Sequence, residues 1–206
     1  MVMGYRERMV LLVGLLIISV SAFGQYRSTQ QTYVLPKENR PVVGLKTNLL
    51  YWATTTPNLG VEFAFSQKWT LEATAGANPW VFGDNTRFQH WLAMGEVRYW
   101  PCQSFEGHFF GLHAGFTRFK VGEIGFLPTI DKHTYKGYAG GGGLSYGYHF
   151  PLGGRWGLEL TVGVGYAYIE YDKYLKCDDC SEYRGRKSRH YVGPTKAGVS
   201  LIYLIK

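Results

Sequence analysis

A chain of 206 residues suits one domain, or one closed sheet with short tails, and 27 Gly with 16 Tyr favour twisted, interface-seeking β-structure over helices. Outside the N-terminus no apolar run reaches the roughly 18 residues a spanning helix needs, which excludes a helical membrane bundle. A formal net charge of +7 would suit nucleic acid, but an exported chain does not meet it, and anionic headgroups or sugars are the partners expected instead.

Export is read from the first residues. Arg6 and Arg8 precede an apolar stretch, Met9 to Val20, with the length of a signal-peptide core. Small residues allow a cut before Phe23 (Val20, Ala22) or before Gln25 (Ala22, Gly24), and we take the second, a cleaved signal peptide over residues 1–24. A single membrane anchor is the alternative, for which the apolar run is short. No Cys lies near the cut, so a lipid-anchored mature N-terminus is not expected. Cleavage removes two cations and one acid, and the net charge falls from +7 to +6. Residues 25–42, polar and broken by Pro36 and Pro41, read as a flexible periplasmic leader, and residues 43–206 as the folded part.

Eight strands follow. The first spans about Val43 to Trp52, with Val43, Leu45, Thr47, Leu49 and Tyr51 outward and Lys46 and Asn48 inward. The second, Leu59 to Phe65, turns Val61 and Phe63 outward and Glu62 inward. The third, Trp69 to Ala77, sets Leu71, Ala73 and Ala75 against Thr70, Glu72 and Thr74. The fourth, Phe88 to Trp100, alternates Trp91, Val97 and Tyr99 with His90, Met94, Glu96 and Arg98. The fifth, His108 to about Lys120, sets Phe110, Leu112 and Phe116 against Gly111, His113 and Thr117. A long loop, Val121 to Lys136, precedes strands six and seven, a hairpin turned by Pro151 to Arg155. Asp172 to Arg189 reads as the longest loop, and strand eight closes the chain from about His190 to Ile205.

The hairpin has the clearest pattern. One parity holds Leu144, Tyr146, Tyr148, Trp156, Leu158, Leu160, Val162 and Val164; the other holds Gly143, Ser145, Gly147, His149, Gly157, Glu159 and Thr161. Bulky apolar residues on one broad face and small or polar ones on the other are what a closed wall in lipid requires. Turns after strands two, four and six are short, and those after the odd strands are longer, the first excepted. Aromatic residues cluster at both ends: Trp69, Tyr99, Trp100, Phe150, Trp156 and Tyr203 at one, and Tyr51, Trp52, Trp91, Tyr168, Tyr171 and Tyr191 at the other. Two such girdles match two bilayer interfaces. The expected fold is all-β: an eight-stranded antiparallel up-and-down transmembrane β-barrel in the outer membrane of a Gram-negative bacterium.

Inside such a wall, Glu62, Glu72, Glu96 and Glu159 face Lys46, Arg98 and Lys196. Eight strands leave room for side chains only, and unpaired carboxylates there are disfavoured, so a mutually paired plug is expected. A gated ion or proton path and acid–base work are the alternatives. His90, His113 and His149 share the inward parity at different heights, so no metal site is expected. His113, Ser145 and Glu159 face away from lipid, which argues against a lipid hydrolase, and Gly140 to Gly143 lacks the context of a phosphate loop. Cys177 and Cys180 form a lone Cys-x-x-Cys, read as a disulfide in an oxidising compartment, with zinc unsupported by any second pair. Arg184, Arg186, Lys187 and Arg189 make the last outer loop basic.

Gly44 to Ala53, Pro57 to Glu62 and Gly193 to Tyr203, with the Cys-x-x-Cys loop, resemble the domain-of-unknown-function 3575 family of exported bacterial proteins over nearly the whole mature chain. The resemblance implies an outer-membrane barrel with no assigned activity, no catalytic residues and no cofactor, and an accessory role beside surface fimbriae. Lys206 ends the chain where outer-membrane proteins commonly have an aromatic residue, with Tyr203 the nearest substitute. The expected function is therefore non-enzymatic: outer loops forming a binding or adhesion surface, with a small lipid-modifying enzyme or a narrow pore as alternatives. Expected partners are membrane lipid and lipopolysaccharide, the barrel assembly machinery, and fimbrial or polysaccharide components.

Overall fold

The computed structural model describes residues 41–82, 86–122, 133–176 and 181–205. The expected signal peptide, all of the leader up to residue 40, and the Cys177/Cys180 pair lie outside the described residues.

Eight long strands form one antiparallel, ring-like sheet: β1 (Val43–Asn48), β2 (Asn58–Ala64), β3 (Trp69–Asn78), β4 (Thr86–Tyr99), β5 (Gly107–Gly122), β6 (His133–Gly153), β7 (Trp156–Lys176) and β8 (Ser181–Ile205). A two-residue piece, Val81–Phe82, adds to β4. Each strand pairs with its chain neighbour, β3 with β4 from Trp69↔Tyr99 to Asn78↔His90. The ring closes where β1 meets β8, Val43 opposite Ile205 and Asn48 opposite Ser200. Strands joined by tight connections pair antiparallel, and closure leaves no long unpaired edge.

Period two decides the two faces. Outward positions carry the large apolar side chains: Leu144 is 66% exposed, Leu112 64%, Val164 63% and Val162 62%. Inward positions carry Glu62, Thr70, Glu96, Arg98, His149 and Glu159, all buried. That is the reverse of a water-soluble sheet, in which apolar residues are the buried ones.

Strand β1 is shorter than the sequence suggests. Its alternation stops at Asn48, whose side-chain oxygen accepts from the Leu50 backbone N–H at 3.0 Å and caps a five-residue helix, α1 (Leu49–Ala53). Asn capping outcompetes continued pairing here because its side chain replaces a missing backbone partner. Asn58 Oδ1 fixes the same corner by accepting from Asn48 N at 2.7 Å.

The two long loops also differ from expectation. Strand β5 runs on to Gly122 and β6 begins at His133, so they take the two ends of Val121–Lys136, whose residues 123–132 lie outside the described residues; β7 and β8 run through most of Asp172–Arg189. The polar composition there marks strands whose two faces are both wet, where burial no longer imposes alternation. In β8 the register slips between Lys196, opposite Gly163, and Pro194, opposite Val164. The bulge takes a residue with no N–H to give.

Gly143 on β6 and Gly165 on β7 sit directly opposite each other. A Cβ added at Gly143 would fall on the Val164 carbonyl oxygen and lie 2.6 Å from the Gly165 Cα, both backbone atoms that cannot swing aside. Gly143→Val is therefore expected to abolish refolding into detergent micelles, read as loss of the β-sheet circular dichroism signal; an unchanged spectrum would contradict this close approach.

Candidate functional site

The interior is built on a row of like charges. Glu62, Glu72 and Glu96 are direct cross-strand partners on β2, β3 and β4. Like charges so placed repel unless cations enter between them. Three cations do. Lys46 Nζ from β1 lies 2.7 Å from Glu62 Oε2, 2.7 Å from Glu72 Oε2 and 2.8 Å from Glu159 Oε2 on β7. Arg98, two residues beyond Glu96, donates from Nε to Glu96 Oε2 at 2.7 Å and from Nη1 to Glu62 Oε2 at 2.9 Å and Glu159 Oε2 at 3.0 Å. Its Nη2 also pairs with Glu72. Lys196 Nζ from β8 lies 2.5 Å from Glu96 Oε2 and 3.4 Å from Glu72 Oε1.

Hydroxyls complete the shell. Thr70 donates to Glu62 at 2.5 Å, Thr74 to Glu72 at 2.9 Å, Thr161 to Glu159 at 3.0 Å, and Ser145 to Glu96. All seven charged residues read from the sequence thus fall into one cluster of four carboxylates and three cations, with one negative charge in excess. Such a cluster persists only because each ion has several partners; removing one exposes the others to a low-dielectric interior.

Below it, toward the end carrying turns 65–68, 100–106 and 154–155, lies an aromatic plug that the sequence reading missed. Trp100, placed in a girdle from the sequence, is instead fully buried. It keeps the inward parity of Glu96 and Arg98, and that parity was the available signal. Its indole Nε1 donates to Thr70 Oγ1 at 2.9 Å, and its ring meets Phe109 at 4.8 Å and Phe105 at 6.0 Å between centroids. The Arg98 guanidinium sits 4.3 Å over the Phe109 ring, a cation–π contact that joins plug to charge cluster. Phe105 reaches the interior because the 100–106 turn folds inward: Trp100 N donates to Lys68 O and Ser104 N to Gln67 O, both at 2.8 Å.

At the opposite side of the cluster a small cavity of about 30 Å³ is lined by Lys46, Asn58, Glu72, Lys196 and Tyr51, room for about one water. Tyr51, read as an outward girdle residue, is turned to this cavity by α1. Tyr171 likewise leaves the girdle: it shares the parity of Glu159 and its ring meets Tyr135 at 5.6 Å. The remaining girdle at the turn end has Trp69 against Tyr99 at 5.1 Å and Trp156 against Tyr203 at 4.9 Å.

Ser145, His113 and Glu159 do not meet. Ser145 engages Glu96, His113 Nε2 lies 2.8 Å from Thr195 Oγ1, and Glu159 holds Lys46 and Arg98. His90 Nε2 is 3.3 Å from Thr56 Oγ1, remote in register from His113 and His149. Among the described residues no group of three or more His, Cys, Asp or Glu side chains could hold a metal ion. Arg186, Lys187 and Arg189 lie on strand β8 rather than in a loop, opposite Asp172, Tyr171 and Ile169, and Arg186 pairs with Glu170. The Arg184 side chain lies outside the described residues.

Architecture and site together define an all-β ring-sheet protein with its polarity inverted, ionised within and apolar without. The chain belongs to the family described as protein of unknown function (DUF3575), whose model matches residues 12–205. No curated protein and no solved structure matches it.

Proposed function

We propose that the chain is a non-enzymatic, eight-stranded β-barrel of the Gram-negative outer membrane. Its interior acts as a structural plug, and its outer rim is a contact surface for envelope lipid, sugars or a surface appendage. The apolar outward belt carries this reading. Leu59 and Phe63 on β2, Leu71 on β3, Leu112 on β5, Leu144 on β6 and Val162 on β7 are exposed, with none of the described residues covering them, and an uncovered belt of that extent would aggregate in water. Acyl chains cover it at no such cost. The ion-paired cluster and the Trp100 plug support a sealed wall over a conduit, since both fill the cross-section.

Val162→Arg tests the belt. Val162 stands midway between Trp156 and Tyr168 on β7, and a cation there is expected to cost about 2–4 kcal/mol of folding free energy in a lipid bilayer, against almost nothing at a wetted surface. Urea-dependent folding into phosphatidylcholine vesicles measures the difference, with Val162→Thr as reference. Equal stabilities for the two variants would sink the membrane assignment.

A further inference from the structure

Beyond the apolar belt, at the end away from the turns, the wall carries an open groove of about 890 Å³. Its lining follows from register. Trp91 lies opposite Arg118, Arg118 opposite Tyr138, and Tyr138 opposite Glu170. One step further, Lys120 lies opposite Lys136, Lys136 opposite Asp172, and Asp172 opposite Arg186. These two rows continue the parity of Phe110, Leu112 and Phe116 on β5 and of Leu144 and Tyr146 on β6. The charged side chains therefore project from the same outward face as the belt, directly above it.

The rows hold four cations and two carboxylates, an excess of two positive charges. Glu170 is engaged, accepting from the Tyr138 hydroxyl at 2.7 Å and pairing with Arg186. Lys136 Nζ stands 4.6 Å over the Tyr174 ring. Arg118 is exposed and makes no ion pair among the described residues. A guanidinium on an open surface, with a lysine one row away, offers donors shaped for a phosphate.

The belt itself is notched beneath these donors. Gly140 on β6 lies between Phe116 on β5 and Tyr168 on β7. A Cβ there would meet nothing closer than 3.6 Å, so the fold does not demand glycine at this position. Its absent side chain leaves an apolar furrow running down from Arg118 and Tyr138. Cations above an apolar furrow complement a phosphate joined to an acyl chain; a soluble sugar phosphate would use the cations and leave the furrow empty.

We propose that this groove is a binding site for a phosphate-bearing lipid of the surrounding leaflet, with the headgroup on Arg118 and Lys136 and an acyl chain along Gly140. The site rests on the membrane reading above. The test is native mass spectrometry of the full chain released from phosphatidylcholine vesicles containing a minor fraction of phosphatidate. The wild type is expected to retain phosphatidate in preference to phosphatidylcholine. The Arg118→Ala/Lys136→Ala pair is expected to lose about 30-fold of that preference, the share two interfacial cations supply. Gly140→Leu keeps every charge and is expected to lower phosphatidate retention by filling the furrow. A folded wild type that retains both lipids equally overturns the site. So does full displacement of phosphatidate by glycerol 3-phosphate, which would mark the groove as a site for free phosphates. A chain that never enters the vesicles overturns the membrane reading and this site with it, and that outcome is visible before any lipid is counted.

Discussion

Arg98→Met is expected to lower the unfolding free energy of the purified protein in detergent by about 3–5 kcal/mol. Methionine fills much of the same volume, so the loss comes from charge rather than from a void. Arg98 has no exposed surface and pairs with Glu62, Glu72, Glu96 and Glu159. Without it, four carboxylates share Lys46 and Lys196, and the formal excess of one negative charge becomes two. Arg98→Lys restores the charge but not the fork that reaches several carboxylates at once, so an intermediate loss is expected. Adding Glu96→Gln to Arg98→Met returns the excess to one and is expected to recover part of the stability. Urea titrations of the three variants measure all of this; an Arg98→Met midpoint equal to wild type would show that the carboxylates do not depend on the guanidinium.

Trp100→Ala is the second large effect, expected at about 3–5 kcal/mol in the same assay. The indole is fully buried among Phe105, Phe109 and His149. Its removal leaves a cavity that a closed ring cannot collapse to fill. It also takes away the donor to Thr70, which itself donates to Glu62, so the charge cluster loosens with the plug. Trp100→Phe keeps most of the packing and drops only the N–H, for which about 1 kcal/mol is expected. Indistinguishable losses for the two variants would mean that the hydrogen bond, not the packing, holds this end together.

Much of this was readable residue by residue. The period-two pattern from Leu144 to Val164 names its outward face without any partner strand, because successive side chains of any strand point to opposite sides. The same rule turned Glu62, Glu72, Glu96, Glu159 and Lys46 inward. It went wrong where a local competitor or a wet environment replaced burial. Asn48 captured its own chain into a helix cap and swung Tyr51 toward the interior. The ends of 121–136 and most of 172–189 looked like loops because their charges break the apolar rhythm, yet strands beyond the belt have no greasy face to maintain. Trp100 was misplaced because an aromatic residue at a strand end is typical of a girdle, while its parity pointed inward.

What the sequence alone determined, then, is the number of strands and which face of each is oily, since both depend on neighbours two residues apart. Only the tertiary structure decided that Glu62, Glu72 and Glu96 stand abreast, that Lys46 and Lys196 reach them from strands adjacent only through ring closure, and that Arg118 and Lys136 share a groove above Gly140. Those meetings depend on register between strands distant in the chain, and a one-residue slip of any strand would turn its partners to the other side of the wall.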